Sequence, residues 1–234
     1  MSIILVFMAL IAGIAGWWLS RQRLMAKPWL EANCDGDFIP AEQSAMPAAK
    51  IGLGVFLAVV GALFSLLMSA YIMRMGVTDW RPLPMPRLLW ANTAVLFLSS
   101  VALHVALVAA RRGEIVTVRL GLATAAATAF AFLGGQLAVW NALQTDGYLI
   151  AGNPANSFFY VITGLHGLHI AGGLVGLARV TRRAWLTDDA AALVQGVDLC
   201  GLYWHFLFAV WLCLFAGFAG FAGKFLDICR QLIS

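Results

Sequence analysis

Charge is scarce in this chain. Only 11% of its 234 residues are Asp, Glu, Lys or Arg, while 62% are hydrophobic. An ordinary soluble domain carries roughly 25% charged residues, and a soluble core of this size has no room for so much apolar surface. Lipid must solvate it. The formal net charge is only +4, and the basic residues sit between apolar runs instead of forming a continuous patch. That pattern excludes a nucleic-acid partner and points to membrane topology.

Motifs for self-contained chemistry are also missing. There is no Walker-type phosphate loop, no nucleophile elbow and no dinucleotide fingerprint. The four cysteines (Cys34, Cys200, Cys213 and Cys229) show no CxxC or other metal-like spacing, so they read as small apolar filler. The opening run lacks the positive n-region and the A-x-A site of a signal peptide. It ends in Trp17–Trp18, with Arg21 and Arg23 following, and reads as a retained helix.

What is present is a series of apolar runs of roughly twenty residues, the length that crosses a bilayer as a helix. They fall at about 2–20, 51–73, 88–110, 119–143, 156–178 and 199–223. The expected fold is therefore all-α, a polytopic membrane bundle of about six helices. Its expected parts are an N-terminal helix (1–20), a cytoplasmic linker (21–49), a five-helix membrane domain (50–224) and a short tail (225–234). The connections hold the charges and turn residues. Residues 81–86, Arg-Pro-Leu-Pro-Met-Pro, cannot continue a helix, because proline lacks the N–H and its ring clashes with the preceding turn.

Six spans place the loops on alternating sides. One side collects Arg21, Arg23, Lys27, Lys50, Arg111, Arg112, Arg119, Arg179, Arg182 and Arg183; the other has Arg74, Arg81, Arg87, Lys224 and Arg230. The positive-inside bias puts the richer side in the cytoplasm and both termini outside.

None of the expected spans has an Asp, Glu, Lys or Arg in its apolar core. Such groups are costly in lipid and usually mark ion paths or proton relays, so this chain lacks the equipment of a self-sufficient pump. The polar groups inside the spans are subtler. All four histidines are there: His104, His166, His169 and His205. His166 and His169 share one helix face with Thr163, in a stretch with a GxxxG at 172–176 that lets another helix approach closely. Two imidazoles three residues apart can present together to a metal or haem. They can equally hydrogen-bond a neighbouring helix or a lipid head group, and no carboxylate or thiol is spaced to complete a coordination sphere. Trp204, Phe208 and Trp211 form an aromatic stripe that reads as an interfacial belt plus packing. Asn92, Ser99, Ser100, His104 and Gln136 are polar sites expected to bond between helices.

Thr163-Gly-Leu-His-Gly-Leu-His169, preceded by Ser157-Phe-Phe, resembles a motif of haem–copper oxidase (cytochrome c oxidase) subunit III. So does Tyr203-Trp-His-Phe206 followed by Trp211. Lys50-Ile-Gly, Asn92-Thr with Ser99, Ser100 and His104, and Gln136 agree in order, so the likeness spans about residues 50–220. The chain looks like a short, divergent bacterial-type member. The resemblance implies a bundle matching the last five helices of seven-helix members, with the first span here an extra or variant helix. It implies an accessory, non-catalytic subunit with no haem or copper of its own; those would lie in partner subunits, catalytic subunit I and subunit II. It implies retained phospholipid, support of turnover and proton uptake by the neighbour, and a place in a bacterial inner membrane. The matched positions for lipid are His166, His169, Trp204 and His205. Arg179, Arg182 and Arg183 are a further phosphate-binding cluster or simply the topology signal.

Three positions depart from the family pattern: Val60, Val139 and Phe208 stand where acidic residues are usual. These losses remove the buried carboxylates that would take a direct part in proton delivery. Two rival readings are a histidine-ligated membrane metalloprotein or b-type cytochrome, and a transporter. The first requires histidines paired across helices at equal depth. The second predicts an internal repeat or broken polar helices, and the sequence has neither.

Overall fold

The computed structural model describes residues 48–220. The expected first span at 2–20, nearly all of the 21–49 linker and the 225–234 tail lie outside the described residues, as do Cys34 and Cys229. Within them the chain forms five α-helices, each long and apolar enough to cross a membrane, and no strand. They are α1 (Ala48–Arg74), α2 (Leu88–Arg112), α3 (Ile115–Thr145), α4 (Pro154–Leu186) and α5 (Val194–Phe218), with a short 3₁₀ turn at Ala191–Leu193 leading into α5. Each overlaps one of the last five apolar runs.

The helix ends follow from local chemistry. Gly113 takes a left-handed φ of 80° after α2, which only glycine adopts without strain. Its N–H reaches Ala110 O, while the Glu114 N–H reaches Ala109 O at 3.0 Å; together they close a Schellman motif. Gly147 repeats the arrangement after α3, with Tyr148 N–H on Leu143 O at 2.9 Å. At the start of α4, Asn153 accepts from the Ala155 N–H at 3.2 Å, and Pro154 occupies the first turn, where its missing N–H costs nothing.

The two-residue connection between α2 and α3 makes them antiparallel neighbours, and they have the most extensive contact in the bundle. Close approach requires Gly135: a Cβ there would overlap the Asn92 amide. Helices α3–α4, α4–α5 and α2–α5 close the remaining sides, while α1 packs chiefly against α4 and α5. The core seam holds Leu96, Leu103, Phe132, Ile162, Ile170 and Leu207, all fully buried.

The two ends differ in charge. At one end Lys50 and Arg111 both pair with Asp198, the latter at 3.8 Å, joining α1, α2 and α5. Arg119 there donates to Ala184 O at 2.8 Å, Thr187 O at 3.2 Å and the Asp188 carboxylate at 2.9 Å, so it closes off the end of α4. At the opposite end Asn153 Nδ2 donates to Arg81 O at 2.5 Å, tying the proline-rich α1–α2 loop to the α3–α4 loop. Helix α4 has 33 residues, about 50 Å, and runs two turns beyond the span expected at 156–178. Arg179, Arg182 and Arg183 are thus on a helix and not in a loop.

Candidate functional site

The residues singled out by the sequence separate into three places. The first is the centre of the bundle. His166 is fully buried and its Nε2–H donates to Leu207 O at 3.1 Å, across to α5. Its ring sits 5.0 Å from Trp211, 5.7 Å from Phe132 and 6.1 Å from Phe64, centroid to centroid. Asn92 Nδ2 donates to Phe132 O at 3.2 Å and lies 3.5 Å from Gln136 Oε1, and Ser99 Oγ donates to Ala125 O at 3.0 Å. Both bind α2 to α3. Trp211 Nε1–H donates to Thr93 Oγ1 at 2.9 Å, which itself donates to Leu89 O at 2.8 Å. Trp140 Nε1–H meets Thr163 Oγ1 in the same way, at 3.1 Å. Of the expected interfacial belt plus packing, Trp204 and Trp211 show the packing and not the belt. Trp204 and Trp211 are each only 1% exposed and pack inside the bundle, because their face of α5 turns to the other helices and not to the lipid boundary.

The second place is a groove of about 280 Å³ between α1 on one side and α4 and α5 on the other. Leu53 and Phe56 face Gly173, Gly176, Tyr203 and Trp204 across it. Tyr203 OH donates to the His169 carbonyl at 2.7 Å. The half-buried His169 ring donates through Nδ1 to Leu165 O at 2.7 Å in its own helix and meets Phe64 edge-on at 5.4 Å. Arg179, Arg182 and Arg183 are exposed at the charged end of α4, with Arg179 one turn beyond Gly176.

The third place is the seam between α2 and α5. His205 does not join His166, His169 and Trp204. It lies on another face, where its Nδ1 shares a hydrogen with Ser100 Oγ and its ring stands 6.1 Å from that of His104.

Sequence reasoning passed over Asp198, Arg119 and Phe64. Asp198 sits at the edge of an apolar run with nothing local to mark it; only the fold brings Lys50 and Arg111 to it. Arg119 was counted for topology, whereas its guanidinium also caps α4. Phe64 is one phenylalanine among 15, with nothing local to mark it as the histidine neighbour.

Among the described residues no three His, Cys, Asp or Glu side chains converge on one point. The arrangement hydrogen-bonds helices to one another around an aromatic centre and leaves an apolar groove whose lining suits a hydrocarbon chain.

Comparison with known proteins agrees with this architecture. The family model for cytochrome c oxidase subunit III matches residues 49–221, the stretch that holds both motifs. A cytochrome c oxidase subunit 3 from Thermostichus vulcanus is 32% identical over 173 residues, covering 70% of this chain and 83% of its own length. One from Synechocystis sp. is 29% identical over 208 residues, covering 83% and 88%. A cytochrome bo(3) ubiquinol oxidase subunit 3 from Pseudomonas aeruginosa is 27% identical over 124 residues, covering 53% and 59%.

Proposed function

Because the chain belongs to the cytochrome c oxidase subunit III family, we propose that it acts as the accessory, non-catalytic third subunit of an oxygen-reducing terminal oxidase. It is a multi-pass membrane protein and a subunit of an oxidase complex. In the proposed reading it stabilises the catalytic subunit I beside subunit II, holds phospholipid, and sustains turnover and proton uptake by its neighbour. Haem and copper belong to those partners, and the electron donor is cytochrome c or a quinol. The membrane is a bacterial inner membrane, with the Lys50–Arg111–Arg182 end in the cytoplasm by the positive-inside bias.

The observation that carries the lipid role is the groove between α1 and α4–α5. Its walls are apolar, and it lies beside an arginine-bearing helix end. A hydrocarbon chain fills such a groove, and a phosphate placed at the same end meets Arg179 or Arg183. Trp204 lines this groove, and His169 adjoins it through the hydrogen bond from Tyr203 to its carbonyl. His166, wholly buried, is proposed to act in packing, and His205, on another face, is not placed as a lipid contact.

A Gly176→Leu substitution tests this, since a Cβ at Gly176 meets no neighbouring atom and the longer side chain extends into the groove. The oxidase holding this variant should lose at least one tightly bound phospholipid by mass spectrometry. It should also inactivate several-fold sooner during sustained oxygen reduction, with its haem absorbance unchanged. Unchanged lipid content and unchanged endurance would contradict the lipid role.

A further inference from the structure

The outward faces of the bundle are not equivalent. Those of α1, α3 and α4 present Val55, Leu66, Leu120, Phe130, Leu168 and Val175, which acyl chains solvate. The seam between α2 and α5 instead exposes two imidazoles, His104 and His205. His104 lies eight residues before Arg112 at the end of α2, about 12 Å into the apolar layer. It makes no hydrogen bond to any other described residue, and His205 engages only through Nδ1, with Ser100. Serine and threonine on a membrane helix can bond their own backbone. An imidazole left open to acyl chains at this depth loses the hydrogen bonds that water would give it.

A second feature lies beside His104. A hollow of about 260 Å³ opens between α2 and the start of α3, lined by His104, Val105, Val108, Arg112, Glu114 and Thr117. It is large enough to take a protruding side chain and leads from the imidazole to the charged end of the bundle. Phe97, Val101 and Val105, on the same side of α2, are 51%, 39% and 46% exposed and supply the apolar flank that a packed helix covers.

We propose that the α2–α5 seam is the face that docks against the catalytic oxidase subunit. The occupant is one of its transmembrane helices, carrying a hydroxyl, amide or carboxyl side chain at the depth of His104. The proposal rests on the subunit III reading and adds which face meets the partner. Lipid leaves the His104 nitrogens and His205 Nε2 without partners among the described residues, whereas a polar side chain on a neighbouring helix satisfies them, as Asn92 and Ser99 are satisfied within the bundle.

The test uses the full chain in membranes that contain its oxidase. A photoactivatable benzophenone residue is placed at Val101, on the seam, or at Leu66, which is 70% exposed on α1. Val101 should crosslink to the catalytic subunit at least ten times more than Leu66. In parallel His104→Leu, which breaks no bond within the described fold, should lower co-purification of the catalytic subunit about threefold, the scale of one interhelical hydrogen bond in a membrane, without changing the variant's own melting in detergent. Equal or stronger crosslinking from Leu66, a crosslink from Val101 only to a second copy of this chain, or full co-purification of the leucine variant would overturn the proposal. If the catalytic subunit fails to co-purify even with the unsubstituted chain, the subunit III reading falls and takes this proposal with it.

Discussion

Trp211 illustrates how single residues hold this bundle. Its indole stands against His166 and Phe132 while its N–H is passed to Thr93, whose own hydroxyl proton goes to Leu89 O. Interhelical hydrogen bonds in membranes contribute modestly, because the unfolded chain in lipid also finds partners. A double-mutant cycle with Thr93→Val and Trp211→Phe should therefore give a coupling of about 0.6 kcal/mol, and at most about 1.7 kcal/mol, read from unfolding in detergent. A coupling near zero would mean that the pair is incidental to packing. Gly135 acts through space and not through bonding. Gly135→Ala forces the Asn92 amide away from Gln136, and overpacking of this kind costs about 1–3 kcal/mol. Unfolding of that variant should show a loss in this range, and Gly134→Ala, whose Cβ meets nothing, should show almost none.

These residues also show what could be read without coordinates. Polar side chains stand out on an apolar background, so Asn92, Ser99, Ser100, His104 and Gln136 were visible as a class. Their individual partners were not, because helical spacing fixes which residues share a face but not which helix that face meets. The same gap explains Trp204 and Trp211. Spacing made them a stripe, and only packing turned the stripe inward. The resemblance groups His205 with His166, His169 and Trp204 as lipid positions, yet a rotation of about 200° separates it from Tyr203 on the helix.

Among the elements, α1 has the thinnest attachment. Among the described residues it packs chiefly against α4 and α5, and its hold at the charged end is the Lys50–Asp198 pair beside Arg111. The side chains are 35% and 21% exposed, so solvent and salt screen the pair, and about 0.5–1 kcal/mol is the scale to expect. Asp198→Asn should therefore leave the bundle folded but raise amide exchange in the first turns of α1 several-fold, with α2 and α3 unaffected. Exchange that rises uniformly would show that Asp198 supports the whole fold. Loosening this end should also widen the groove that Leu53 and Phe56 border.

The existence and order of the five described helices were legible, because runs of apolar residues bounded by proline, glycine and charge leave little choice in lipid. Their ends were less so. Helix α4 continues through Arg179–Arg183 to Leu186, since arginine is a good helix former and a helix has no physical reason to stop at the membrane surface. The cap that does stop it comes from Arg119, 65 residues away from Ala184 in the chain, and no local pattern announces that.

At the scale of the whole molecule, the described helices form one connected bundle with an aromatic and hydrogen-bonded centre, an apolar groove on one side and an imidazole-bearing seam on another. The centre packs and hydrogen-bonds the helices together, while the groove and the seam are the surfaces proposed to meet lipid and a partner subunit. Family membership supplies what that something is: the other subunits of a terminal oxidase.

That account is tested most directly by a gentle detergent pull-down of the full chain, followed by subunit analysis and an optical spectrum before and after the chain is stripped from its partners. The account predicts a large polytopic partner and a haem absorbance that co-purify, with the absorbance remaining on the partner once this chain is removed. A haem or copper signal that stays with the isolated chain would contradict it and would make His104, His166, His169 and His205 candidate ligands instead of packing and docking residues.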